Sequence, residues 1–146
     1  MEIRVAQKRA ILIVDDELGA RESLRMIFRP NYQVHTAVDG KEALQSIQKD
    51  KIDLVALDLR MPGLSGLDVL RKIKKNDPDI EVIVITAHGT AEDAKEAVRY
   101  GAGDFITKPF NVSDLVNSVN KSLERRSKNL RFKNFSRYND AVVRKS

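Results

Sequence analysis

The chain has 146 residues, 42% of them hydrophobic, enough for one globular domain with a buried core and too many for a disordered chain. It has no cysteine, which excludes disulfides, thiol catalysis and thiolate metal sites. No apolar run approaches the roughly 20 residues that span a bilayer, and the opening MEIRVAQKR lacks the apolar stretch of a signal peptide. A cytoplasmic protein without a membrane partner is expected. The net charge of +5 is unevenly spread. Nine Lys and Arg and two acids fall between Lys121 and Ser146, so that stretch carries +7 and the remainder −2. The division predicts a mildly acidic body and a basic tail, with different tasks.

Along the body, short apolar runs alternate with amphipathic stretches. The first run, Ile11-Leu12-Ile13-Val14, ends in Asp15-Asp16. The stretch after it places Leu18, Leu24, Ile27 and Phe28 near one helical face. A second run covers 33–37. Asp39-Gly40 then marks a turn, with Asp39 as an N-cap before a helix that groups Ala43, Leu44 and Ile47. The third run, 53–57, ends in Asp58 and is followed by the turn Met61-Pro62-Gly63. The next helix groups Leu67, Leu70 and Ile73 and stops at Asn76-Asp77-Pro78. The fourth run, Val82-Ile83-Val84-Ile85, ends in Thr86. Ala91, Ala94, Ala97 and Val98 then share a face. The fifth run, 104–107, leads into Lys108. A last helix, capped by Ser113, groups Val112, Leu115, Val116, Val119 and Leu123.

Five strand-then-helix units predict an α/β fold. Strands joined by helical crossovers run parallel, with helices on both faces. Near-continuous apolar strands fit a doubly wound sheet buried on both sides. Ligands of such sheets sit beyond the carboxyl ends of the strands. Asp15, Asp16, Asp58, Thr86 and Lys108 all fall there. With the first and third strands as neighbours, the three carboxylates share a pocket. Two carboxylates about 5 Å apart repel by roughly 3 kcal/mol at an effective dielectric of about 20. A hard divalent cation such as Mg²⁺, which prefers oxygen ligands, removes that cost. The remaining carboxylate is then placed to act as a nucleophile toward phosphorus. Thr86 offers a hydrogen bond to a phosphoryl oxygen, and Lys108 a cation. Taken singly, each residue has a plainer role: Asp15 or Asp16 as a helix cap, Asp58 as a turn residue, Thr86 as a strand former, Lys108 as a solvated lysine. His35 and His88 form no ligand pair and read as structural or solvent-facing.

The stretches ILIVDDE, DLVALDLRMPGLSGLDVL, VIVITAHG and GAGDFITKPF, in this order over about 9–125, resemble the receiver domain of bacterial response regulators in two-component signalling. The wording is similar to receivers of nitrogen-regulator-type transcription factors. The resemblance implies a flavodoxin-like five-stranded sheet in the order 2-1-3-4-5, with a receiver over 1–126 and a basic linker or tail over 127–146. It implies Asp58 as phospho-acceptor, and Mg²⁺ held by Asp15, Asp16, Asp58 and the backbone carbonyl of Arg60. It further implies Thr86 and Lys108 as phosphate partners, Thr86 and Phe105 as switch residues, Ala87 as the small neighbour, and a cis Lys108-Pro109 bond. The implied partner is a sensor histidine kinase or phosphotransfer protein, with a phosphorylation-dependent homodimer and a separate effector domain as further options. An enzyme reading is the alternative. Haloacid-dehalogenase-like phosphatases use the same residue types, but with the nucleophile on the first strand in Asp-x-Asp, where this chain has Asp15-Asp16-Glu17. A docking module that has lost its chemistry is countered by the complete set of site residues. For the tail, Val116, Leu123 and Leu130 keep a seven-residue step, which extends the last helix. Phe132, Phe135 and Tyr138 among basic residues fit nucleic acid, although a solvated linker is the expectation.

Overall fold

The computed structural model describes residues 7–145, with the side chain of Lys145 left aside. Five strands, β1 (Ala10–Val14), β2 (Gln33–Ala37), β3 (Leu54–Leu57), β4 (Glu81–Thr86) and β5 (Asp104–Thr107), alternate with five helices. The helices are α1 (Leu18–Phe28), α2 (Gly40–Lys49), α3 (Gly66–Asn76), α4 (Ala91–Arg99) and α5 (Val112–Lys145). All strand pairs are parallel, in the order β2-β1-β3-β4-β5. The fold is the expected doubly wound α/β sheet.

β1, β3 and β4 are buried along their whole length, because helices cover both faces of these central strands. Side chains alternate between two cores. Leu12, Val14, Val55, Leu57, Val82 and Val84 meet Val69, Leu70 and Ile73 of α3. Ile11, Ile13, Leu54, Ala56, Ile83 and Ile85 meet Leu24 and Phe28 of α1 and Leu115, Val119 and Leu123 of α5. Burial of this kind is worth roughly 25 cal/mol per Å² of apolar surface and is the main force holding the layers together.

Caps fix the helix starts. Asp39 accepts from the Glu42 amide as expected, Ser65 accepts from Asp68, and Thr90 forms a capping box with Asp93. The last helix corrects the reading of Ser113. Its cap is Asn111, whose side chain accepts from the Ser113 amide at 2.8 Å, so Val112 is already helical. Leu18 and Val98, assigned to core faces by spacing, are exposed at 65% and 64%. Each lies at the border of its apolar arc, one on the first residue of α1 and one beside the buried Ala97. α5 continues without interruption through the basic stretch to Lys145, as a helical extension.

Candidate phosphoryl and metal site

The predicted phosphoryl and metal residues lie at the carboxyl end of the sheet, while Phe105 stands within β5, paired with Val84. Asp15 and Asp16 follow β1, Asp58 follows β3, Thr86 closes β4 and Lys108 follows β5. Carboxylate oxygens of Asp15, Asp16 and Asp58 lie within 4.8 Å of one another. They grade from buried Asp15 through half-buried Asp58 to exposed Asp16. A set of hard oxygen donors at this spacing, open on one side, fits Mg²⁺, which keeps several of its own waters.

Asp15 carries a buried charge and both its oxygens are engaged. Oδ1 accepts from the Glu17 amide at 2.9 Å, and Oδ2 accepts from Lys108 Nζ at 2.7 Å. Asp15 therefore does not cap α1, whose N-cap position is Glu17 with no side-chain bond. Lys108 is tied to Asp15, not to Asp58. Arg21, unremarked in the sequence, donates to the Asp15 carbonyl at 2.8 Å and braces the acidic turn from α1.

Asp58 is less well compensated. Burial pushes its pKa above the ordinary carboxylate value of 3.8, the Thr86 hydroxyl pulls it back, the Asp15 charge raises it further, and Lys108 lowers it. The Arg60 amide reaches Asp58 Oδ1 at a long 3.4 Å. A carboxylate kept half-desolvated among like charges is a group poised for a cation or for covalent chemistry.

Three glycines shape the loops around it. A Cβ on Gly66 would stand 2.4 Å from Leu59 Cα and 2.6 Å from the Asp58 carbonyl, so the start of α3 is pressed against the turn after Asp58. Gly63, at φ 81°, lets that turn close. A Cβ on Gly89 would meet the tip of the Phe105 ring at 2.3 Å and Thr86 Cγ2 at 2.9 Å. The half-buried Phe105 ring thus already lies over the loop after Thr86 instead of standing on the surface. Gly63 is legible as part of the turn Met61-Pro62-Gly63, whereas the only sequence signal for Gly66 and Gly89 is a small residue beside a site motif. The Lys108-Pro109 bond is cis. His88 is exposed, and His35 stands 3.8 Å from Asp50, away from the site.

The family model described as the response regulator receiver domain matches residues 11–120. The chain belongs to the response regulator receiver family. Sporulation initiation phosphotransferase F of Bacillus subtilis is 37% identical over 118 residues, covering 80% of this chain and 95% of that protein. Regulatory protein LuxO of Vibrio cholerae is 35% identical over 117 residues, covering 80% of this chain but 26% of LuxO. Among solved structures, NtrX from Brucella abortus superposes with a TM-score of 0.82 at 35% identity, covering 88% of this chain and 30% of NtrX. A CheY-like receiver from Methanospirillum hungatei gives 0.81 at 28% identity, covering 84% and 99%. The chain thus spans nearly the whole of some relatives and a quarter to a half of others. The receiver family is one of signalling switches, and no helix among the described residues is long and apolar enough to cross a membrane.

Proposed function

We propose that this receiver accepts a phosphoryl group on Asp58 from a sensor histidine kinase or phosphotransfer protein and changes shape in response. The observation that carries the reading is the trio Asp15, Asp16 and Asp58, within 4.8 Å of one another and facing a single lysine. An oxygen of Asp58 attacks phosphorus, the bond from phosphorus to the donor nitrogen breaks, and its electron pair returns to the donor imidazole. Asp15, Asp16, Asp58 and the Arg60 carbonyl would hold Mg²⁺, which supplies neutralisation of charge on the transferring group when bound. Lys108 leaves Asp15 and pairs with a phosphoryl oxygen, while the Thr86 hydroxyl donates to another.

The new group carries about −1.5 to −2 charge at neutral pH. As Thr86 turns toward it, the loop from 87 to 90 follows, and Phe105, resting on Gly89, moves with that loop. The face made by α4, β5 and α5 is where an output partner, an effector domain or a second copy would sense the change. Phosphorylation only shifts an existing equilibrium, by its differential interaction with the two states. The chain works as a cytoplasmic switch, not as a turnover enzyme, with residues 1–126 as its receiver and 127–146 as a basic extension.

The test is labelling by a small phosphodonor. Wild-type protein takes up one acid-labile phosphoryl group per chain with Mg²⁺ and none with chelator. Asp58→Asn takes up none. Full labelling of Asp58→Asn, or sustained turnover of a phosphomonoester, overturns the assignment.

A further inference from the structure

Beyond Arg126 the last helix leaves the receiver core. Every described side chain from Lys128 to Arg144 is exposed. Phe132, Phe135, Tyr138 and Val142 are exposed at 71%, 63%, 67% and 49%. At 3.6 residues per turn these four fall on one arc of the helix. Single exposed apolar residues are ordinary, but an aromatic stripe several turns long marks an interaction surface.

The orientation of the stripe is fixed by what the other side of α5 touches. Leu115, Val119 and Leu123 are buried in the core. Arg126 bonds Asp53 Oδ1 at 3.0 Å and the Asp79 carbonyl at 2.6 Å, and Lys133 bonds Asp79 Oδ2 at 2.5 Å. The apolar arc lies roughly 180° around the axis from these residues. It therefore points away from the receiver, with none of the described residues of the body in front of it.

Charge selects the occupant. Lys128, Arg131, Lys133, Arg137, Arg144 and Lys145 face one acid, Asp140, giving +5 over this segment. A second copy packed side by side would set +5 against +5. Lys128 and Arg131 share the arc of the aromatics, in the turns just before Phe135. A helix with aromatics on one face and Lys and Arg around them is suited to lie in the headgroup layer of an anionic bilayer. We propose that residues 128–145 form such a helix, binding an anionic lipid surface through Phe132, Phe135, Tyr138 and Val142, with the receiver carried above it. This differs from a membrane span, and it depends on neither Asp58 nor its metal.

The full chain is sedimented with vesicles of phosphatidylcholine alone and of an equal mixture with phosphatidylglycerol. Binding is expected to the anionic vesicles, about tenfold weaker to neutral ones or in high salt. Phe135→Ser with Tyr138→Ser is expected to weaken it about tenfold and leave Asp58 labelling unchanged. In Phe135→Trp, indole emission shifts to the blue with anionic vesicles only. No vesicle binding, or binding that survives the double serine variant, overturns the proposal. So does a concentration-dependent dimer, or capture of a single-stranded oligonucleotide, without vesicle binding.

Discussion

The two ends of the sheet hold the same kind of charge in opposite states. At the amino end, Asp53, Asp79 and Glu81 each have a cationic partner. Glu81 takes a two-pronged bond from Arg125 at 2.6 and 3.0 Å, Asp53 takes Arg126 and the Ala10 amide, and Asp79 takes Lys133. At the carboxyl end, Asp15, Asp16 and Asp58 share one lysine, which is committed to Asp15. Paired acids hold α5 to the body. Unpaired acids raise the energy of the free protein and leave room for a cation and a phosphoryl group. The pairing, more than the count of acids, separates structure from site.

The largest effect is expected where a satisfied pair is broken. Arg126 is nearly buried and bridges Asp53 to the Asp79 carbonyl. Arg126→Ala leaves Asp53 short of its charge partner, and removal of one member of such a pair costs about 3 kcal/mol. Denaturant titration of the variant against wild type measures it. A loss below about 1 kcal/mol would place this pair with ordinary surface ion pairs.

Gly66→Ala tests the steric side of the other end. The new methyl meets backbone at Leu59 and Asp58, which cannot yield as a flexible side chain does. A destabilisation of about 2 kcal/mol is expected, as for overpacking. Because the displaced backbone carries Asp58, phosphoryl labelling should slow by more than the loss of folded protein explains. Rates normalised to the folded fraction separate the two.

At the carboxyl end the sign reverses. The folded pKa of Asp58 is raised above 3.8, chiefly by burial. A group shifted this way favours folding below its unfolded pKa, and that contribution is lost as pH rises through the folded value. Asp58→Asn should therefore be more stable than wild type at neutral pH without metal, by about 1 kcal/mol once half-exposure is discounted. The gap should close as pH falls. Mg²⁺ should close it from the other side, by stabilising wild type. Thermal melts from pH 3 to pH 7 with and without Mg²⁺ give both slopes (midpoints on the order of a few degrees apart). A less stable variant at neutral pH would mean that Asp58 is needed for the fold.

The carboxyl end was legible in the sequence because each site residue terminates an apolar strand, and a strand end has one address in a parallel sheet. The amino end was not. Arg125, Arg126 and Lys133 all fall in the basic stretch from Lys121 to Ser146, where net charge hides which cations are already partnered. Asp53 and Glu81 stand where apolar strands begin, and nothing local shows that α5 passes over them. Leu18 and Val98 failed for a related reason: spacing names an arc of a helix but not how wide the neighbouring layer is. Ser113 lost the cap to Asn111 because either residue type can cap, and the helix start was uncertain by two residues. Gly89 carried no readable role until the Phe105 ring was seen above it.

The smallest effect sharpens where the receiver stops. By resemblance to receivers the boundary falls after Arg126. By contacts it falls slightly later, since Arg9 bonds Ser127 Oγ at 2.8 Å and Lys133 reaches Asp79. The Lys133 pair is half-exposed on the lysine side, so screening and side-chain entropy leave it less than about 1 kcal/mol. A chain ended after Asn129 keeps Arg125, Arg126 and Ser127 and loses Lys133 with the exposed turns. Its stability should fall by less than about 1 kcal/mol, well short of the Arg126→Ala loss. Its rate of Asp58 labelling should match the full chain, because no described residue after Asn129 touches the carboxyl end of the sheet. Lys133→Ala in the full chain should reproduce the stability change by itself. If ending the chain there costs as much as Arg126→Ala, the outer turns of α5 belong to the folded receiver and the boundary after Arg126 is in the wrong place.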